Sequence, residues 1–231
     1  FINLIQTKTK INKFKSNKFN IFNFNIKNQY TNALDSLNLA YKFTKEKIFI
    51  GIITLPLNKN DINKYVNKKF IDQTNFFSKL EKIKYSNMIF IHNKLIITPL
   101  TTHIELKKVP TFFKNNKIDV YNKILNFVVT LKKDFRINKP KIAIAGINPH
   151  SGENGLISED EIKYLIPVIK KLKKNKINIK GPFSGDSIIN KFNLNYFDAF
   201  IFTFHDQALI PFKILSNFEG VNFTGGLNII R

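Results

Sequence analysis

Between residues 119 and 135 the apolar positions Val120, Ile124, Phe127, Val128, Leu131 and Phe135 recur at spacings of three and four, which predicts a helix with one buried stripe. A second helix is predicted from Ser158. There Ser158-Glu159-Asp160-Glu161 has the spacing of a capping box, and Ile162, Leu165, Ile166, Ile169 and Leu172 follow as the inner face. Thr31 is placed to cap a third, over 32–45, with Ala33, Leu37, Ala40 and Tyr41 on one side. Short apolar runs at 47–55, 87–92, 94–100, 141–147, 199–204 and 220–224 read as strands, with Asn93 as the turn between the second and third. Residues 1–30 are a low-complexity mixture of Lys, Asn, Phe and Ile without a clear period. Strands alternating with amphipathic helices predict an α/β sandwich around a largely parallel or mixed sheet.

The polar residues that follow these runs carry the candidate chemistry. Of four histidines, three stand just past an apolar run: His103 after 96–102, His150 after 141–147 and His205 after 199–204. In open α/β sheets ligands gather at the carboxyl ends of the strands. Three imidazoles so placed can converge on one divalent ion. On the residues alone, three unrelated polar loop positions remain the alternative. His92 belongs to no motif and reads as a solvated strand-end residue.

Composition narrows the field. A chain of 231 residues suits one large domain or two small ones. The absence of cysteine excludes a disulfide framework, thiolate metal sites and a cysteine nucleophile, and fits a reducing cytoplasm. No apolar run has transmembrane length, so no membrane association is expected. The chain does not begin with Met and its start lacks signal-peptide architecture, so it reads as a trimmed or partial product. A formal net charge of +21 would ordinarily suggest nucleic acid. Here only Arg136 and Arg231 are arginines, and lysines are spread along the chain, so the Arg forks of specific readout are nearly missing. No specific nucleic-acid partner is expected, and nonspecific polyanion adhesion is the distant alternative.

Several segments stand in one order: Thr54-Leu55-Pro56-Leu57-Asn58-Lys59, Gln73-Thr74, Leu100-Thr101-Thr102-His103, Asn148-Pro149-His150-Ser151-Gly152-Glu153, and Gly181-Pro182 with Asp186. His205-Asp206-Gln207-Ala208-Leu209, Pro211-Phe212-Lys213, Gly220-Val221-Asn222 and Gly226-Leu227-Asn228-Ile229-Ile230-Arg231 complete it. From about Thr31 to Arg231 this order resembles the 4-hydroxythreonine-4-phosphate dehydrogenase family of vitamin B6 (pyridoxal phosphate) biosynthesis. The resemblance implies a two-lobed αβα sandwich like isocitrate and isopropylmalate dehydrogenases, working as a homodimer with its active site at the interface. Residues 1–46 would be a remnant of the amino-terminal lobe, and 47–231 the core region bearing the site. It implies NAD- or NADP-dependent oxidation of 4-phosphooxy-L-threonine, with decarboxylation to 3-amino-2-oxopropyl phosphate. One divalent metal per subunit (Zn, Mg or Co) would be held by His103, His150 and His205. The small phosphorylated substrate would be held by Gln73, Thr74, Lys213, Asn222 and Arg231, with Asp186 as a catalytic acid that orients an amine or water.

Departures from the family's pattern are equally plain. Asp72-Gln73-Thr74-Asn75 stands where Gly-His-Thr-Glu is usual, so Gln73 replaces a histidine and can donate a hydrogen bond but carry no charge. Asn58 likewise occupies a histidine place. The family's Gly/Pro-rich amino-terminal loop and the Asp-His-Gly-Thr segment beyond Arg231 do not occur in this sequence. Two alternatives follow: a sister dehydrogenase acting on a threonate or erythronate phosphate, and a decayed homologue that keeps the fold without turnover.

Overall fold

The hairpin at 87–99 shows how the pattern becomes structure. β3 (Asn87–His92) and β4 (Leu95–Pro99) pair antiparallel about Asn93, whose φ of 52° suits a residue that tolerates the left-handed region. The computed structural model describes residues 2–6, 17–23, 29–66 and 70–231. Contacts divide the chain into two compact units, Phe1–Asp72 and Gln73–Arg231.

The second unit holds a six-stranded sheet. It comprises β3 and β4 with β5 (Ile142–Ala145), β6 (Ile179–Phe183), β7 (Ala199–Phe202) and β8 (Val221–Gly225), in the order β6-β5-β7-β4-β3-β8. β6, β5, β7 and β4 run parallel, and β3 is antiparallel to both of its neighbours, which makes the sheet mixed. Successive strand residues face opposite sides. Ile142, Ile144, Ala199 and Ile201 therefore enter one core, while Ala143, Ala145, Phe200 and Phe202 enter the other.

The first core is closed by α5 (Lys117–Lys133), whose Val120, Ile124, Phe127, Val128 and Leu131 are all buried as its spacing predicts. α4 (Val109–Asn115) and α6 (Ile166–Lys174) join it through Val109, Phe113, Val168, Ile169 and Leu172. The second core lies under α7 (Lys191–Tyr196) and α8 (His205–Ser216). There the small Ala143 and Ala145 make room for Phe200, Phe202 and Phe212, and Phe90 tilts against Phe212 with ring centroids 5.5 Å apart. Each such fully buried Ile, Leu or Phe contributes about 1.5–3 kcal/mol.

The helix after Ser158 differs from its expected form. Ser158 Oγ lies 2.8 Å from Asp160 Oδ2 and accepts from the Asp160 N–H, but the Ser158 N–H goes to the Gly152 carbonyl rather than to Glu161. No capping box closes. The first turn, Glu161–Leu165, is π-helical and precedes Pro167, which rotates the buried face to Leu165, Val168, Ile169 and Leu172 and leaves Ile162 46% exposed. α3 (Gln73–Leu80) opens this unit.

In the first unit β1 (Ile2–Gln6) and β2 (Phe19–Asn23) pair parallel, within a segment whose sequence shows no period. α1 (Gln29–Lys45) buries Leu34 and Leu37; it starts ahead of Thr31, whose side chain lies outside the described residues. α2 (Lys59–Tyr65) is capped by Asn58, whose Oδ1 accepts from Asn60 N and Asp61 N. The strand expected at 47–55 does not form: Ile50, Ile53 and Leu55 are 96%, 98% and 78% exposed. A strand needs a neighbour for its N–H and C=O groups. Residues 47–55 pair with no strand among the described residues, and the two sheets form without them.

Candidate active site

Because β4, β5, β6 and β7 are parallel, their carboxyl ends share one edge of the sheet. His103 follows β4, His150 follows β5, Asp186 follows β6 and His205 follows β7. That edge is tied by a hydrogen-bond web. Leu100 N and Thr101 N donate to the Phe202 and Thr203 carbonyls (2.8 and 3.2 Å), and Thr101 Oγ1 donates to Thr203 O at 2.8 Å. Gln207 clamps it: Oε1 accepts from Thr203 N at 2.9 Å, while Nε2 donates to Gly146 O at 3.0 Å. A Cβ on Gly185 would stand 2.7 Å from that same amide nitrogen, so the loop after β6 needs glycine there to approach it. Lys123, on α5, donates to Leu100 O at 2.7 Å, and burial of its ammonium pushes its pKa down. Gln207→Ala would leave the buried Thr203 N–H without its acceptor. It is expected to destabilise the fold by about 1–3 kcal/mol, read as a lower denaturant midpoint at unchanged slope.

Two hollows open on this edge, and Phe204 lines both. The first, of about 350 Å³, is lined by Thr102, His103, Leu106, His205 and Asp206 among others. The His103 and His205 rings stand 5.7 Å apart between centroids. His205 Nδ1 lies 2.7 Å from Asp206 Oδ1. A carboxylate only accepts, so the proton sits on Nδ1; in the neutral ring Nε2 then keeps a lone pair for a cation or a proton.

The second hollow, of about 360 Å³, is lined by Asn148, His150, Ser184, Asp186 and Gln207 among others. Ser184 Oγ donates to Asp186 Oδ1. That bond is the main cause holding the Asp186 carboxyl below the usual carboxylate range, with His150 as a lesser positive influence. Asp186 is thus a carboxylate at neutral pH and accepts hydrogen bonds rather than giving up a proton.

His150 sits in unusual backbone. From His150 to Asn154 φ runs 50°, 52°, 76°, 45° and 53°, a single left-handed turn. Such backbone costs roughly 1–2 kcal/mol per non-glycine residue, and it persists at sites the surrounding structure over-determines. His103 also has positive φ, at 53°.

On the far side of β3, a third cluster forms. Arg231 Nη1 donates to Thr224 Oγ1 (2.7 Å) and Thr74 Oγ1 (3.1 Å), and its Nη2 donates to Gln73 Oε1 (2.6 Å). The guanidinium lies over the Phe77 ring at 5.8 Å, and Thr224 N donates to the Arg231 carbonyl at 2.7 Å. Gln73, Thr74 and Arg231 are therefore brought together from distant sequence. Lys213 and Asn222 are exposed elsewhere: the Lys213 ammonium stands 5.7 Å over Phe218, and Asn222 pairs with Phe90 in the register of β8 on β3. Among the described residues no three His, Cys, Asp or Glu side chains gather closely enough to hold a metal within one chain.

Glu161 reads from sequence as a helix cap and Gln207 as part of the His205 motif, while Thr203 shows no signal of its own. Thr224 carried no signal beyond its strand.

A mixed sheet flanked by helices, with ligand-type residues along its carboxyl edge, defines an α/β protein of the isocitrate/isopropylmalate dehydrogenase-like fold. Its residues 3–231 match the family described as pyridoxal phosphate biosynthetic protein PdxA, and the chain belongs to that family. A 4-hydroxythreonine-4-phosphate dehydrogenase of Aquifex aeolicus is 39% identical over 184 residues, covering 78% of this chain and 55% of its own length. A D-threonate 4-phosphate dehydrogenase of Pectobacterium atrosepticum is 30% identical over 201 residues, 84% of this chain and 60% of its own. The crystal structure of the Klebsiella pneumoniae 4-hydroxythreonine-4-phosphate dehydrogenase superposes with a TM-score of 0.80 at 28% identity, over 87% of this chain and 61% of that one. The chain thus spans little more than half the length of the curated relatives it matches. No helix among the described residues is long and apolar enough to cross a membrane.

Proposed function

We propose that the protein to which this chain belongs oxidises 4-phosphooxy-L-threonine with NAD or NADP and decarboxylates the product to 3-amino-2-oxopropyl phosphate, in pyridoxal phosphate biosynthesis. The observation that carries this reading is the common carboxyl edge on which His103, His150, Asp186 and His205 stand, in a chain of this family.

His103, His150 and His205 are the donors for a divalent ion, Zn, Mg or Co. Their fit is chemical: three imidazoles, one with its tautomer set by Asp206. One chain brings the tilted His103 and His205 rings to 5.7 Å and has His150 lining the adjoining hollow, which supports a set completed in a homodimer with donors from both copies. A bound ion would supply Lewis acidity at the substrate hydroxyl and at the carbonyl formed from it, and a bound nicotinamide would supply the hydride acceptor.

The chain's own residues do the rest. Arg231, held by Gln73, Thr74 and Thr224, brings a fixed guanidinium charge to the substrate's phosphate or carboxylate. Lys213 and Asn222 contribute a point charge and a neutral donor. Asp186, ionised, orients the substrate amine or a water. Metal content after mild dialysis is expected to fall in His103→Ala, His150→Ala and His205→Ala alike; unchanged stoichiometry in all three would contradict the donor set.

A second reading is a dehydrogenase of a threonate or erythronate phosphate, favoured by Gln73. Its side chain is a neutral amide whose Oε1 accepts from Arg231, so it brings no charge where the family usually has a histidine. A decayed homologue without turnover is the non-enzymatic reading. Soluble, cytoplasmic operation accords with the family reading. Binding to duplex DNA is expected to be weak, indifferent to sequence and abolished by moderate salt, as filter binding across a salt series would read; tight, sequence-selective binding would overturn this.

A further inference from the structure

Glu161, which does not close a capping box with Ser158, is a buried glutamate, 1% exposed. Its Oε1 accepts the backbone N–H groups of Ile147 (2.8 Å) and Asn148 (2.7 Å). The Asn148 side-chain amide lies 3.4 and 3.3 Å from its two oxygens. Its Oε2 abuts Gly152: a Cβ there would stand 2.5 Å from that oxygen and 2.4 Å from the Ser158 carbonyl, at a φ of +76°. One carboxylate thus holds the entry of the left-handed turn at 147–148 by hydrogen bonds and packs against its middle at Gly152, with His150 between them.

The turn's internal bonds are few and long. Ser151 N reaches Asn148 O at 3.1 Å, and Ile157 N and Ser158 N share the Gly152 carbonyl at 3.2 and 3.3 Å. The charge-assisted bonds to Glu161 are the shortest that hold it.

We propose that Glu161 is a positioning residue for His150: its buried carboxylate holds the left-handed turn in the shape that presents the imidazole to the hollow shared with Asp186. The proposal rests on His150 being a functional group. A carboxylate is needed because it is acceptor-only. Gln at this position preserves volume but sets an NH2 against the Asn148 side-chain amide, donor against donor.

The test uses the intact protein with isotope-labelled histidine. Single His→Gln variants at 92, 103, 150 and 205 assign the four ring signals of this chain. In Glu161→Gln the His150 signal is expected to shift or broaden while those of His92, His103 and His205 hold. Gly152→Ala should produce the same change through the added Cβ, which makes a second, independent variant should the first fail to fold. Titration with Co²⁺ should give a Kd about 10- to 100-fold weaker in either variant. Glu159→Gln, which removes an exposed partner of Lys163, should leave signals and affinity alone. A folded Glu161→Gln or Gly152→Ala with His150 at its original position and Co²⁺ affinity intact overturns the proposal. If instead His150→Ala leaves the intact protein's activity unchanged, the functional reading fails, and the His150 signal still decides whether Glu161 holds the turn.

Discussion

His150→Ala in the intact protein is expected to lower kcat/KM by roughly three orders of magnitude or more, because a Lewis acid at the reacting oxygen is worth several kcal/mol. His103→Ala and His205→Ala should act alike, since an ion held by three ligands is lost or misplaced with any one of them. Their effects should also fail to add: a double variant should be little worse than either single one, as for groups that act as a unit. Asp206→Asn offers a graded comparison. It keeps the bulk beside His205 Nδ1, 2.7 Å away, but removes the charge that sets the tautomer, for which about a 10- to 100-fold loss is expected. Steady-state rates beside metal analysis separate the two kinds of loss. Near-parent rates in all three alanine variants would remove the histidines from the chemistry.

Arg231→Lys is the second large effect. The guanidinium spends two nitrogens on Thr74, Thr224 and Gln73, and a lysine cannot make these bonds while holding its charge in the same place. Loss of a charge-assisted contact of this kind costs about 1.5–3 kcal/mol, or roughly ten- to hundredfold in kcat/KM. Metal content should not change. Lys213→Ala should act in the same direction, while Lys173, on the outside of α6, should be silent when replaced. A loss of stability with kcat/KM intact would make Arg231 a structural tie between α3 and β8 and would redraw the substrate cradle around Gln73.

Much of this was legible because two periods were clean. The stripe Val120, Ile124, Phe127, Val128 and Leu131 and the runs at β3, β4, β5 and β7 each match one buried face or one buried strand. The parallel order of β4, β5 and β7 then converts their following residues into neighbours, which is why three histidines far apart in sequence share an edge. The run at 47–55 misled because apolarity alone does not supply a strand with a partner. The helix after Ser158 misled for a different reason. Its Glu161 has the spacing to cap its own helix, yet its carboxylate goes to backbone N–H groups of another loop, and only a three-dimensional contact reveals that choice. The left-handed turn at His150–Asn154 was unreadable likewise, since four of its five residues are not glycine and local preference argues against it. Thr224 and Gln207 act through contacts made across the sheet, which spacing does not encode.

The most direct test is turnover by the intact protein on synthetic 4-phosphooxy-L-threonine, with NAD or NADP and a divalent ion, following NADH or NADPH appearance and CO₂ release together. D-threonate 4-phosphate serves as the competing substrate. The account predicts reduced cofactor and CO₂ in equal amounts from the threonine phosphate, with a higher kcat/KM than for the threonate phosphate, and loss of both signals in His150→Ala. No reduced cofactor from the threonine phosphate, by a protein that is folded and metal-loaded, would contradict it.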